Sequence, residues 1–191
     1  MTPPEDRLEA LLQLAALDRL PRTGWALRGV PAPESIAGHA LAVAHLVLTL
    51  APEVEPPLRL DRALAMALVH DAPEAWTGDL PSPAGRLLPD GAKATMEQAV
   101  AERGLGPLGE EAMTAWNEHE EGATREARLV RLCDRLQLGV ELLRLRRLGL
   151  GGLDEFRAVV EELDCSAFAP AEALRQELLR ALAATEGSAP A

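Results

Sequence analysis

A helix-forming run, Asp61-Arg62-Ala63-Leu64-Ala65-Met66-Ala67-Leu68-Val69, leads directly into His70-Asp71-Ala72-Pro73-Glu74, with Asp79 close behind. The apolar spacing predicts a buried helix opened by an acidic cap at Asp61. An imidazole and a carboxylate side by side at the end of such a helix cost on the order of several kcal/mol unless a metal or an opposite charge compensates. Any fold this chain adopts has to supply that compensation. Pro73 lacks a backbone N–H, so the helix should end or kink there. Glu74, four residues after His70, then shares its face only approximately.

The remainder of the chain predicts an all-α fold. Aromatic residues make up only 3% of the 191 residues and tyrosine is absent, so Leu, Ala and Val must build the core, which suits helices better than sheets. This length predicts a single domain over 1–191, with a core at about 20–165, a C-terminal helix at about 170–184 and a frayed tail at 186–191. Nineteen basic against 30 acidic residues give a net charge of −11, which argues against a nucleic-acid polymer or an anionic membrane as partner. A small phosphorylated substrate stays open, because one metal and one or two arginines can reverse a local field. Cys133 and Cys165 are too few for a disulfide framework, the opening residues carry no secretory pattern, and no apolar stretch is expected to span a bilayer. A cytoplasmic protein is expected.

Along the chain, an amphipathic helix is predicted over 5–20, burying Leu8, Leu11, Leu12, Ala15 and Leu20. A Pro- and Gly-rich loop over 21–33 carries Trp25 between Arg22 and Arg28. Trp25 is either an anchor packing the loop on the body or a nucleobase platform flanked by phosphate-binding guanidiniums. An apolar central helix runs from about 34 to 50, and His39 and His45, six residues apart, cannot both face one metal. Gly38 would cost that helix about 1 kcal/mol relative to Ala, so close approach of a ligand or another backbone is expected there. Irregular chain over 77–91 is followed by helices near 92–103 and 108–120, the second carrying His119, which either supports the ligand set from behind or is solvated, the flanking glutamates favouring the latter. The longest helix, about 124–148 and capped at Thr124, has a buried stripe of Leu129, Leu132, Leu136, Val140 and Leu143. Asp134 within it is either paired with Arg131 or Arg135 at the surface or a ligand. Segments 153–163 and 170–184 complete the bundle.

Collected, His39, His70, Asp71 and Asp134 form a mixed N/O set that suits one divalent Mn, Co, Fe, Ni or Zn and is poor for Ca. Water on such a metal loses its proton near neutral pH and becomes a nucleophile, with Glu74 placed to take or relay a proton. Hydrolysis of a phosphate ester is the reaction this equipment suits.

The ordered pattern His39…His70-Asp71…Asp134 resembles the H…HD…D signature of HD-domain phosphohydrolases. Arg22-Thr23-Gly24-Trp25, Pro33-Glu34-Ser35, the HDxxE of His70 to Glu74, and Gly78-Asp79 with Pro81 resemble the 5′-deoxynucleotidase group within them, over about 20–140. The resemblance implies a helical bundle with one metal at its centre, release of phosphate from (deoxy)nucleoside 5′-monophosphates, and a homodimer. It also implies His39, His70, Asp71 and Asp134 as ligands, Glu74 as the acid/base group, and Asp79 on the sugar or assisting proton transfer. Trp25 would bound the nucleoside, with Arg22 or Arg28 on the phosphate. This chain departs from the group in having Gly24 where some relatives carry arginine, Gly38 where an acidic residue is frequent, and Pro73 inside HDxxE. Another phosphate ester or alarmone as substrate, or a non-catalytic metal-binding regulatory module, are the alternatives.

Overall fold

Two hydrogen-bonded caps and one proline break decide where the central helices begin and end. In a computed structural model, which describes residues 2–186, the chain forms α1 (Pro4–Leu14), α2 (Thr23–Ala26), α3 (Ile36–Leu50), α4 (Leu60–Val69), α5 (Glu74–Thr77) and α6 (Ser82–Gly85). It continues through α7 (Ala92–Gly104), α8 (Glu110–Glu121), α9 (Arg125–Arg147), α10 (Asp154–Glu161) and α11 (Ala169–Glu186). No strand occurs among the described residues, only an isolated bridge between Pro21 and Ser35. The fold is all-α. The tail expected to fray lies outside the described residues beyond Glu186, which itself ends α11.

The Ser35 hydroxyl accepts the Gly38 N–H at 3.0 Å and starts α3, and the Thr124 hydroxyl accepts the Ala127 N–H at 3.1 Å and starts α9. Each such cap is worth about 1 kcal/mol. The cap also accounts for Gly38. No second backbone approaches it, and an added Cβ would meet only the Ser35 hydroxyl, at 3.3 Å. The expected acidic cap of α4 is not formed; Arg59 occupies that position, and Asp61 pairs with its guanidinium instead. Pro73 stops α4 through a turn, after which α5 restarts at Glu74.

α3, α4 and α9 pack together around one apolar cluster that includes Val43, Val47, Met66, Leu129 and Leu136. A second cluster joins α2 and the end of α9 to α10 and α11 through Trp25, Leu142, Val160 and Leu178. α1 lies at the edge, and its stripe is not buried as expected: Leu8, Leu11 and Leu12 are exposed, and only Ala10 of the helix is buried. Val140 of α9 is likewise exposed. By length and mean hydropathy alone, Ile36–Glu53 does meet the requirement for a membrane span, with 18 residues at 1.4, contrary to expectation. It carries the fully buried His39 and packs against α4 and α9.

α10 and α11 approach α9 where it has no side chain. A Cβ on Gly139 would fall 2.5 Å from Leu178 Cδ2 and 2.7 Å from Val160 Cγ2. Gly139→Val is therefore expected to lower stability by about 1–3 kcal/mol through overpacking, read from the urea midpoint.

Candidate metal centre

His39, in the first turn of α3, is fully buried, and its Nδ1 lies 2.7 Å from Gln137 Oε1. The Gln137 amide nitrogen is committed to the Glu34 carboxylate, 2.7 Å away. A carboxylate accepts, so the amide oxygen faces His39, and the His39 proton sits on Nδ1. His70, at the end of α4, holds its Nδ1 2.9 Å from the Ala67 carbonyl oxygen, which fixes its proton in the same way. Both Nε2 lone pairs then point into the same space, 3.4 Å apart. Asp71 Oδ2 is 3.5 Å from His39 Nε2 and 3.3 Å from His70 Nε2, and Asp134 Oδ1 is 3.1 Å from His39 Nε2.

Four acceptors therefore converge at the α3–α4–α9 junction, and the ligand atoms of His39, His70 and Asp71 all lie within 4.8 Å of one another. With their outer nitrogens engaged, the inner atoms of this cluster repel one another unless a positive charge, a proton or a cation, lies between them. A divalent cation resolves that repulsion, and the donor set of imidazole nitrogens and carboxylate oxygens fits one. The negative potential shifts the proton affinities of the cluster. Burial disfavours the His70 imidazolium, yet Asp71, with Asp134 behind it, outweighs burial and raises the group to about 9. Burial pushes Asp71 and Asp134 up, but the imidazoles, and for Asp71 also Arg22, hold both below the usual carboxylate range.

Asp71, Glu74, Asp79 and Asp134 open onto a cavity of about 570 Å³. Arg22 donates to Asp71 Oδ2 at 3.0 Å and lines the same cavity. Glu74 Oε2 is buried and has no hydrogen-bond partner. Burial first, then the charges of Asp71 and Asp79, raise Glu74 to about 9. Asp79 accepts the Thr23 N–H at 2.5 Å and so ties down the turn that presents Arg22.

Several expectations need correction. Asp134 pairs with His39, while Arg131 is spent on the His119 and Glu120 carbonyls. Trp25 is no open platform: it is 1% exposed, Phe156 lies against it at 4.1 Å between ring centroids, and its indole N–H goes to Glu34. Arg28 pairs with Glu155 and lies over Phe156, which leaves Arg22 as the arginine beside the acceptors. His119 is not solvated; its Nε2 is buried without a partner, and its ring lies 5.4 Å from that of His70. Sequence reasoning missed Gln137 and Phe156. Gln137 sits one turn beyond Asp134, the one available signal, whereas nothing local ties Phe156 to Trp25.

A family model described as "HD domain" matches residues 14–149. The chain belongs to the HD-domain family. Human 5′-deoxynucleotidase HDDC2 is 31% identical over 134 residues, covering 69% of this chain; the chain spans 64% of the human protein, just under two thirds of its length. The PH0347 protein of Pyrococcus horikoshii OT3 superposes with a TM-score of 0.80 at 32% identity, over 91% of this HD-domain chain and 99% of that one. A structure from Magnetospirillum magnetotacticum MS-1, called a predicted metal-dependent phosphohydrolase, superposes with a TM-score of 0.63 at 25% identity, over 95% of this chain and 97% of that one.

Because the folded Glu74 carboxyl titrates far above its ordinary value, the fold favours its protonated form. The stability this confers is complete below the unfolded pKa, is lost as pH rises, and is gone above about 9. In chelator-treated protein, Glu74→Gln should therefore gain thermal stability over wild type progressively from about pH 5 to about pH 9. Melting curves across that range check it.

Proposed function

We propose that this protein is a metal-dependent phosphohydrolase that removes the 5′-phosphate from (deoxy)nucleoside monophosphates. The observation that carries this reading is the convergence of four acceptors beside an unpartnered carboxyl oxygen, with Asp71, Glu74 and Asp134 all lining one cavity. The name of the human relative supports the substrate class. His39, His70, Asp71 and Asp134 would hold a divalent transition metal. Bound there, the ion supplies Lewis acidity toward a phosphoryl oxygen and lowers the pKa of water.

The chain's own groups do the rest. Arg22 is anchored by Asp71 through one nitrogen, leaving its other N–H donors for phosphate oxygens. Glu74, protonated near neutrality, donates to the departing 5′-oxygen and then takes a proton from water. Asp79 faces the sugar while its carboxylate keeps Thr23, and so Arg22, in place. Trp25, Leu138, Phe156 and Val159 form the apolar wall for the base, with Trp25 packed against Phe156.

A second reading has its own support. Arg86, Lys93 and Arg135 also line the cavity, so a more highly charged phosphate ester, such as an alarmone, has cations to meet it. The homodimer we infer from the exposed pair Leu41 and Leu48, one heptad apart on α3. Buried free Cys133 and Cys165 support a reducing, cytoplasmic setting.

Purified protein with Mn²⁺ or Co²⁺ should release phosphate from deoxynucleoside monophosphates faster than from other phosphate esters. His70→Ala should abolish release, and Glu74→Gln should lower kcat by about 10²- to 10⁴-fold. No release from any nucleotide with any divalent metal counts against the reading, and faster release from an alarmone selects the second one. Sedimentation should give a dimer, and a Leu41→Glu, Leu48→Glu variant a monomer.

A further inference from the structure

A single buried chain of hydrogen bonds joins the acceptor cluster to the wall of the cavity. It runs from His39 Nδ1–H to Gln137 Oε1 at 2.7 Å, and from Gln137 Nε2–H to Glu34 Oε2 at 2.7 Å. It ends with Trp25 Nε1–H donating to Glu34 Oε1 at 3.1 Å. Every link has one permitted direction. The indole is only a donor and the carboxylate only an acceptor, so the amide of Gln137 has one orientation and His39 one tautomer. His39, Gln137 and Trp25 are each 3% exposed or less, and the Glu34 side chain is 12% exposed, so water reaches this set only at Glu34. Four separate pieces of chain are locked together: α2, the residue before the Ser35 cap, α3 and α9.

We propose that Gln137 and Glu34 are positioning residues that couple cation binding at His39 to Trp25, and through Trp25 to the Phe156 face of the cavity. A cation drawing electron density from His39 Nε2 makes Nδ1–H a stronger donor. That tightens the Gln137 bond, and the pull passes through Glu34 to the indole. The cavity wall then has a different set before and after the cation binds. The inference rests on the proposed metal centre, but its readouts need no catalysis.

The test uses Zn²⁺ alone, followed by equilibrium dialysis and by tryptophan emission in a Trp76→Phe, Trp116→Phe background, where Trp25 is the remaining tryptophan. Zn²⁺ should shift Trp25 emission with the same midpoint as binding. Gln137→Leu should weaken binding by about 10- to 100-fold and remove the emission shift. Gln137→Glu alone should also weaken it, because two carboxylates then meet. The exchange Glu34→Gln with Gln137→Glu keeps a hydrogen bond at every link, with only the middle one reversed, so it should restore both affinity and emission shift. Wild-type affinity in Gln137→Leu, an emission unmoved by Zn²⁺, or an exchange that restores neither would overturn the coupling while leaving the metal centre standing. Failure of the wild-type protein to bind any Zn²⁺, Mn²⁺ or Co²⁺ would overturn the metal centre and the coupling together.

Discussion

Two imidazoles have their outer nitrogens engaged by Gln137 and by the Ala67 carbonyl, and so turn their Nε2 atoms toward each other and toward two aspartates. Much of the structure is arranged around that confrontation. Without a cation, burial strips water from this set, and a proton held on His70 beside Asp71 offsets part of that cost. Arg22 compensates on the Asp71 side. A divalent cation at the junction of α3, α4 and α9 would compensate the whole set, turning a liability of folding into a site with a strong preference for positive charge.

The same field prepares Glu74. Its neighbours are carboxylates, its outer oxygen is sealed from solvent, and its proton is retained to about 9. One cluster thus contains aspartates held ionised and a glutamate held neutral, separated by environment alone. Such pairs of oppositely shifted carboxyls are the arrangement that lets one group bind a cation while another carries a proton. The short turn at Pro73 contributes by restarting the helix at Glu74, so that the carboxyl meets the cavity from α5 rather than lying along α4.

Much of the frame was legible in the chain itself. The apolar periodicity of the segments that became α3, α4 and α9, and the cap at Thr124, are local properties that a few residues decide among themselves. Less legible was which leucines go inside. Leu8, Leu11 and Leu12 have helical spacing but stay exposed, because α1 finds its neighbours through a different face. Periodicity says that a helix has an apolar side; it does not say that anything covers it.

The sequence alone determined the helical class, the chemistry of the four acceptors, and the placement of Glu74 just past a proline break, because these follow from composition and short-range spacing. Only the tertiary structure decided that Trp25 packs against Phe156 and that Arg22 rather than Arg28 meets Asp71. The same holds for His119, which is buried, and for Gln137, which fixes the His39 tautomer across 98 residues of chain. These outcomes depend on which surfaces meet when separate helices pack, and no local pattern encodes a contact between residues that far apart.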